Sequence, residues 1–276
     1  MNELALFAGA GGGLLASKLL GWSTVCAVEI DRYCRKILRR RQIDGSLDTF
    51  PIWDDVCTFD GNPWRGVVDI ISGGFPCQDI SSAGKRAGIA TGKRSGLWRE
   101  YARIVDEVRP TFVFIENSPR LVSCGLDIVL SDLTDMGYDA RWCVLGAWHV
   151  GSPHKRDRIW ILAYSSGDRH FSSRERQNDS RGNGMDCFQE EVVCPAFGES
   201  NRALAGHRLS QNRPEEITKT SAATSRRSDW WETEPGMGRV VNGMAHRVDR
   251  LRVIGNGQVP AVAAVAFRLL STGLTR

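Results

Sequence analysis

Three short segments of this chain carry residues able to make and break bonds. Cys77 sits in Gly74-Phe75-Pro76-Cys77-Gln78. A cysteine after a rigid proline, at a strand end and before a loop, is well placed as a nucleophile, because the thiolate is the reactive form. The competing reading is a buried thiol acting as a small hydrophobe. Glu116 closes the apolar run 111–116 (TFVFIE). A carboxyl at the end of such a strand has a raised pKa and can donate a proton near neutrality. It could equally cap a helix expected after Pro119. Arg156-Asp157-Arg158 open a further apolar run. Strand alternation puts both arginines on one face, aimed at one acceptor, unless they are solvated strand-end charges.

Two other segments suit ligand binding. The first apolar run leads into Phe7-Ala8-Gly9-Ala10-Gly11-Gly12-Gly13. Glycines here let a ligand approach the backbone and leave a helix N-terminus open. The spacing is GxGxG; Leu14 breaks the GxGxxG of dinucleotide binders. Glu29 ends the second strand, where a ribose-binding acid belongs, and Asp55 follows the third, able to accept from an adenine amino group. The plainer reading is a glycine turn with two surface acids. The loop after Cys77 holds Gly84, Gly88 and Gly92 with Lys85, Arg86, Lys93 and Arg94. That composition fits a lid over a phosphate-bearing substrate, or a solvated loop.

These residues need a frame that gathers strand ends. Strands are predicted over residues 3–8, 24–29, 51–56, 67–72, 111–116, 138–148 and 158–164. Helices are predicted over residues 14–20, 33–41 with Asp31 as N-cap, 97–108, 126–136 and 260–270. Such alternation predicts a doubly wound α/β sheet, whose ligands sit beyond the strands' C-terminal ends. From 165 to 229 the apolar residues thin out and no period is sustained, so a second, mostly irregular domain is expected there.

Composition narrows the classes. The chain has 276 residues, 42% hydrophobic and 25% charged, with 29 glycines. That is a globular balance. The longest apolar run, 259–267, is too short to span a bilayer, so no membrane role is expected. The first basic residue is Lys18, unlike a secretory start, and the eight cysteines form no CxxC pair. A cytoplasmic protein with reduced thiols is expected. Cys26, Cys34, Cys57, Cys124 and Cys143 are read as buried hydrophobes. Cys187, Cys194, His170 and His207 match no zinc-ligand spacing, so no metal is expected. The net charge is +4. Residues 1–164 carry 20 basic against 19 acidic groups, 165–229 carry 10 against 10, and 230–276 carry 6 against 3. The surplus lies in Arg239, Arg247, Arg250 and Arg252, where phosphate contacts are expected.

The ordered motifs FAGAGGG, GGFPCQ, IEN, HKRDR and IGNGQVP are similar to those of the cytosine-5 DNA methyltransferases. The resemblance covers nearly the whole chain, with residues 165–229 at the place of the family's variable target-recognition region. The stretch DWWETEPGMGRVVNGMAHRVDRLRVIGNGQVP resembles the phage and prophage branch. His154 stands where the family usually has Gln, and Ser118 where it usually has Val.

The resemblance implies a Rossmann-like, class I S-adenosylmethionine-dependent methyltransferase sheet. It implies a catalytic and cofactor domain over residues 1–164, a target-recognition domain and hinge over 165–244, and a return of 245–276 to the catalytic domain. Phe7, Gly9, Gly11 and Gly13 would cradle S-adenosylmethionine, with Glu29 on the ribose and Asp55 on the adenine. Ile30 and Val56 would flank the adenine ring, and Pro76, Leu97 and Asn256 would complete the pocket. Cys77 would add to carbon 6 of a flipped-out cytosine, Glu116 would protonate ring nitrogen 3, and Arg156 and Arg158 would hold the base. Gln78, Ser81, Lys85 and Arg86 would join the four C-terminal arginines on the DNA. Double-stranded DNA is the implied partner, a cognate restriction endonuclease a possible companion, and a monomer the expected state, in a bacterial or phage-infected cell. Two alternatives stay open: the same chemistry on tRNA, and a catalytically silent DNA-binding protein.

Overall fold

The computed structural model describes residues 1–76, 96–165, 190–191 and 247–274. The apolar and β-branched runs form β1 (Asn2–Leu6), β2 (Ser23–Val28), β3 (Ile52–Trp53), β4 (Ile70–Gly73), β5 (Phe112–Asn117), β6 (Tyr138–Leu145) and β7 (Arg158–Ser165). A two-residue β8 (Glu190–Glu191) follows. The helices are α1 (Gly12–Leu19), α2 (Arg32–Ile43), α3 (Gly96–Val108), α4 (Leu126–Asp135), α5 (Arg247–Asn256) and α6 (Pro260–Leu270). The strands form one sheet in the order β3-β2-β1-β4-β5-β7-β6-β8. Pairing is parallel from β3 to β5. β7 runs antiparallel to both β5 and β6. That reversal sets Glu116 opposite Trp160 and Asn117 opposite Ile159, so the start of β7 meets the end of β5.

Burial on both faces holds the sheet. On one face, Leu4, Leu6, Ile71, Val113, Ile115 and Ile161 pack with Trp98, Tyr101, Ile104 and Val108 of α3 and Val129 and Leu133 of α4. On the other, Ala5 and Ala27 meet Leu14 of α1 and Leu38 of α2. α6 also packs against α1, and its Phe267 meets Trp22 edge-on at 4.6 Å and Phe114 at 5.5 Å. Glu3 is fully buried inside this face. The hydroxyls of Ser17, Ser72 and Thr24 donate to its carboxylate at 2.6, 2.5 and 2.7 Å, tying α1, β4 and β2 to β1. Burial still pushes that carboxyl above the ordinary range.

Several details differ from the sequence reading. The third strand is only two residues long, because the Asp55 side chain accepts from Cys57 N–H at 2.9 Å and turns the chain into a 3₁₀ turn, Val56–Thr58. Cys57 and Cys124 are exposed, contrary to expectation, since both lie in turns rather than in strands or on core-facing helix sides. The sixth strand stops at Leu145, before the 3₁₀ turn Ala147–Val150. Helix α5 was not anticipated; its apolar Val248, Leu251 and Ile254 are exposed. Asp31 does cap α2, accepting from Tyr33 and Cys34 N–H at 2.8 and 3.1 Å.

One stretch, Val248–Leu270, is long and apolar enough to cross a bilayer, with mean hydropathy 1.4. It is broken, however: α5 ends at Asn256, and Val259 is extended before Pro260 opens α6. Val262, Ala263, Ala266, Phe267 and Leu270 are buried in the protein core. By compactness the chain divides into two units, Met1–Val193 with Val253–Arg276, and Cys194–Arg252.

The α6 contact predicts a measurable cost. Phe267→Ala deletes a buried ring and should destabilise the protein by about 3–5 kcal/mol, with Phe267→Leu costing far less. Thermal melts of the two variants check this; equal melting points would refute it.

Candidate active site

The end of β1 turns sharply. Phe7 has φ +52°, a left-handed backbone that a bulky side chain rarely adopts. Its ring stacks on Tyr101 with centroids 6.3 Å apart. Gly11, at φ +89°, is the N-cap of α1, and a Cβ there would lie 2.9 Å from the Leu38 side chain. Glu29 is buried just after β2. Its two carboxylate oxygens accept from Gly9 N–H at 2.6 Å and Asp31 N–H at 2.7 Å. Burial pushes this carboxyl up, and the two backbone donors oppose that. Each oxygen keeps a lone pair for a further donor. Gly9 borders open space, with no atom within 4 Å of where a Cβ would sit. Ile30 is 69% exposed, and so, at 46%, is Trp53 on the neighbouring β3.

The other expected cofactor residues are more dispersed in burial. Val56 is buried and Asp55 half-buried. Pro76 is exposed beyond β4, Leu97 packs on the core from the first turn of α3, and Asn256 is exposed at the end of α5. Gly13 faces the chain's own Gln258, as set out below.

The end of β5 gathers the reactive groups. Glu116 Oε1 lies 2.8 Å from Arg158 Nε, and the carboxyl side chain is 10% exposed. Burial is the largest influence and pushes Glu116 up; the charges of Arg158 and Arg156 and a hydrogen bond from Gln258 oppose it. Glu116 is not a helix cap. Ser118 takes that role, its hydroxyl accepting from Arg120 N–H at 3.4 Å over the turn Pro119–Ser123. Asn117 Nδ2 donates to the Phe75 carbonyl at 3.1 Å, tying the end of β5 to the segment that leads into Cys77.

Arg156 departs from the expected pair. β7 begins only at Arg158, so strand alternation does not reach Arg156, whose backbone is left-handed at φ +44°. Its Nη2 donates to the Gly255 carbonyl at 2.9 Å and to the Gly257 carbonyl. Among the described residues Arg158 is the ion-pair partner of Glu116, while Arg156 clamps the chain after α5. Cys77, Gln78, Ser81, Lys85, Arg86 and Arg239 lie outside the described residues, as do Cys187, Cys194, His170 and His207. Arg247 opens α5, Arg250 is exposed, and Arg252 is 54% exposed with Nη2 3.6 Å from Asp249.

Sequence reasoning missed Gln258. Its one visible signal is a long polar side chain between Gly257 and Val259-Pro260, directly before an apolar helix. Together these groups can hold a buried, protonatable carboxyl beside the lead-in to a cysteine, next to a glycine turn with a buried acid. A buried carboxyl of this kind can give up a proton to a group held beside it.

The chain is similar to known proteins. The profile described as C-5 cytosine-specific DNA methylase matches residues 1–255. The type II methyltransferase M.CviJI of Paramecium bursaria Chlorella virus IL3A is 36% identical over 164 residues, 59% of this chain and 42% of that protein. M.Eco47II of Escherichia coli is 36% identical over 167 residues, 58% of this chain and 38% of that protein. The chain thus spans less than half the length of these relatives. Among solved structures, the S. pombe Dnmt2 methyltransferase aligns at TM-score 0.50 and 21% identity, covering 60% of this chain and 51% of that one. This chain shares the fold of that methyltransferase over the aligned part. Because the profile matches most of its length, the chain belongs to the C-5 cytosine-specific DNA methylase family.

Proposed function

We propose that this protein transfers a methyl group from S-adenosylmethionine to carbon 5 of a cytosine in duplex DNA. The observation that carries the reading is the buried Glu116 carboxyl, paired with Arg158 at 2.8 Å and tied through Asn117 to the segment before Cys77. Members of this family use S-adenosylmethionine as methyl donor. The residues present fit it: Glu29 keeps lone pairs for ribose hydroxyls, Gly9 borders open space, and exposed Ile30 and Trp53 offer apolar surface for a purine. When bound, it supplies an electrophilic sulfonium methyl.

The chain's own residues do the rest. Carbon 5 of cytosine is a poor nucleophile. Addition of the Cys77 thiolate to carbon 6 makes it enamine-like, and proton donation from Glu116 to ring nitrogen 3 neutralises the charge that develops there. Arg158 holds the Glu116 carboxyl in place, and Asn117 fixes the Phe75 carbonyl ahead of the cysteine. After carbon 5 has taken the methyl, its proton passes to a water, Cys77 leaves as thiolate, the proton on ring nitrogen 3 returns to the Glu116 carboxylate, and aromaticity returns. Carbon 6 is hidden in a duplex stack, so the base must flip out. The C-terminal arginines and the basic loop after Cys77 are proposed to take the phosphates.

Bisulfite sequencing of duplex DNA incubated with the full chain and S-adenosylmethionine tests the reading. Site-specific protection supports it; labelling of tRNA alone, or of neither, overturns it. Cys77→Ala should abolish transfer and lose the covalent adduct with 5-fluorocytosine DNA, while S-adenosylhomocysteine binding is kept. Glu116→Gln should cut kcat by about 10²–10⁴-fold and change DNA affinity little. Burial raises the Glu116 pKa, so the proton-donating form persists above the ordinary carboxyl range. The rate should therefore fall as pH rises through that raised value, and a pH profile of kcat with no alkaline limb in the wild type would contradict this.

A further inference from the structure

Two adjacent glycines and the catalytic carboxyl share one neighbour. A Cβ on Gly12 would run into the backbone carbonyl of Gln258, and a Cβ on Gly13 would lie 2.7 Å from Gln258 Oε1. A Cβ on Gly74 would lie 2.5 Å from Glu116 Oε2 and 3.6 Å from Gln258 Nε2. The two side chains thus border the same glycine, and a hydrogen-bonding influence of Gln258 opposes the burial that raises Glu116. An ionised carboxylate can only accept, so the amide Nε2 is the donor and Oε1 is left facing the glycine turn. Gly12 and Gly13 are small here because the returning chain occupies their space, not only because a ligand approaches.

The return is itself fixed on its other side. Arg156 holds the carbonyls of Gly255 and Gly257, and Gly257 N–H closes on the Val253 carbonyl at 2.8 Å. Gln258 is the next residue. It is therefore delivered between a guanidinium clamp and the glycine turn, with its amide turned to the carboxyl.

We propose that Gln258 is a positioning residue that holds the Glu116 carboxyl in line for proton donation and links it to the glycine turn of the cofactor site. The proposal rests on the reading of Glu116 given above. Among the described residues, the groups facing this carboxyl are Arg158 of β7, Arg156 before it, and Gln258. Of these, Gln258 is the neutral donor. Removing it takes away a bond to the ionised form, so the proton should be held to higher pH.

The test uses the full chain with Gln258→Met, which keeps the bulk against Gly13 but cannot donate an N–H, and Gln258→Ala as a second variant. Spectra with ¹³C-carboxyl-labelled glutamate, with Glu116 assigned by its loss in Glu116→Gln, give its titration directly. The midpoint should move to higher pH in both variants. In parallel, kcat of Gln258→Met on duplex DNA should fall about 10-fold. Its alkaline limb should shift to higher pH, and KM for S-adenosylmethionine should change less than kcat. An unmoved midpoint and limb in wild-type-like folded variants overturn the proposal, as does a failure of both variants to fold, which would make Gln258 a packing residue. A moved midpoint in a protein that methylates no DNA leaves the role of Gln258 standing and removes the proposed function. Methylation with an unmoved midpoint does the reverse.

Discussion

A carboxyl group buried at the end of an apolar strand has to be compensated, or the fold bears the full cost of desolvating it. Glu116 is that group, and much of the architecture around it serves the compensation. β5 is parallel to its neighbour β4, yet β7 inserts antiparallel beside it. A parallel β7 would have brought its C-terminal end here; the reversal brings its first residue, Arg158, within hydrogen-bonding distance. The same place receives the chain from its far end, through Arg156 and Gln258. Strand direction, C-terminal return and glycine turn thus meet at one buried carboxyl.

The glycine turn after β1 follows the same logic with weaker demands. Glu29 is also buried and raised, but two backbone N–H groups rather than a guanidinium satisfy it. Neutral donors leave the carboxylate its net charge and its spare lone pairs. Such a group can still accept from hydroxyls, whereas at Glu116 burial outweighs the two cations and the amide beside it and favours the protonated form. Glu3 is a third case: three hydroxyls surround it, and it joins elements without facing either site.

The sequence revealed what depends on local pattern. The strand cores were legible because a run such as TFVFIE can be buried on both faces, and Asp31 because its side chain caps the very next turn. The third strand was overestimated, since Asp55 is drawn into its own cap rather than a ladder. Arg156 was misread because alternation presumes a strand that begins two residues later. Cys57 and Cys124 were misread because the exposure of one residue in a turn depends on distant packing. Gln258 showed only a polar side chain ahead of an apolar helix: its neighbours, Gly13 and Glu116, come together only after the sheet has closed with α6 beside α1. The motifs marked the segments, but the contacts that join them are long-range.

The border of the sheet at β3 depends on a single turn. β3 has two residues and covers only Ala27 and Val28 of β2. A border strand this short gives another chain little of its own ladder to extend. The turn at Asp55, which cuts β3 short, therefore sets the length of that border as well as the end of the strand.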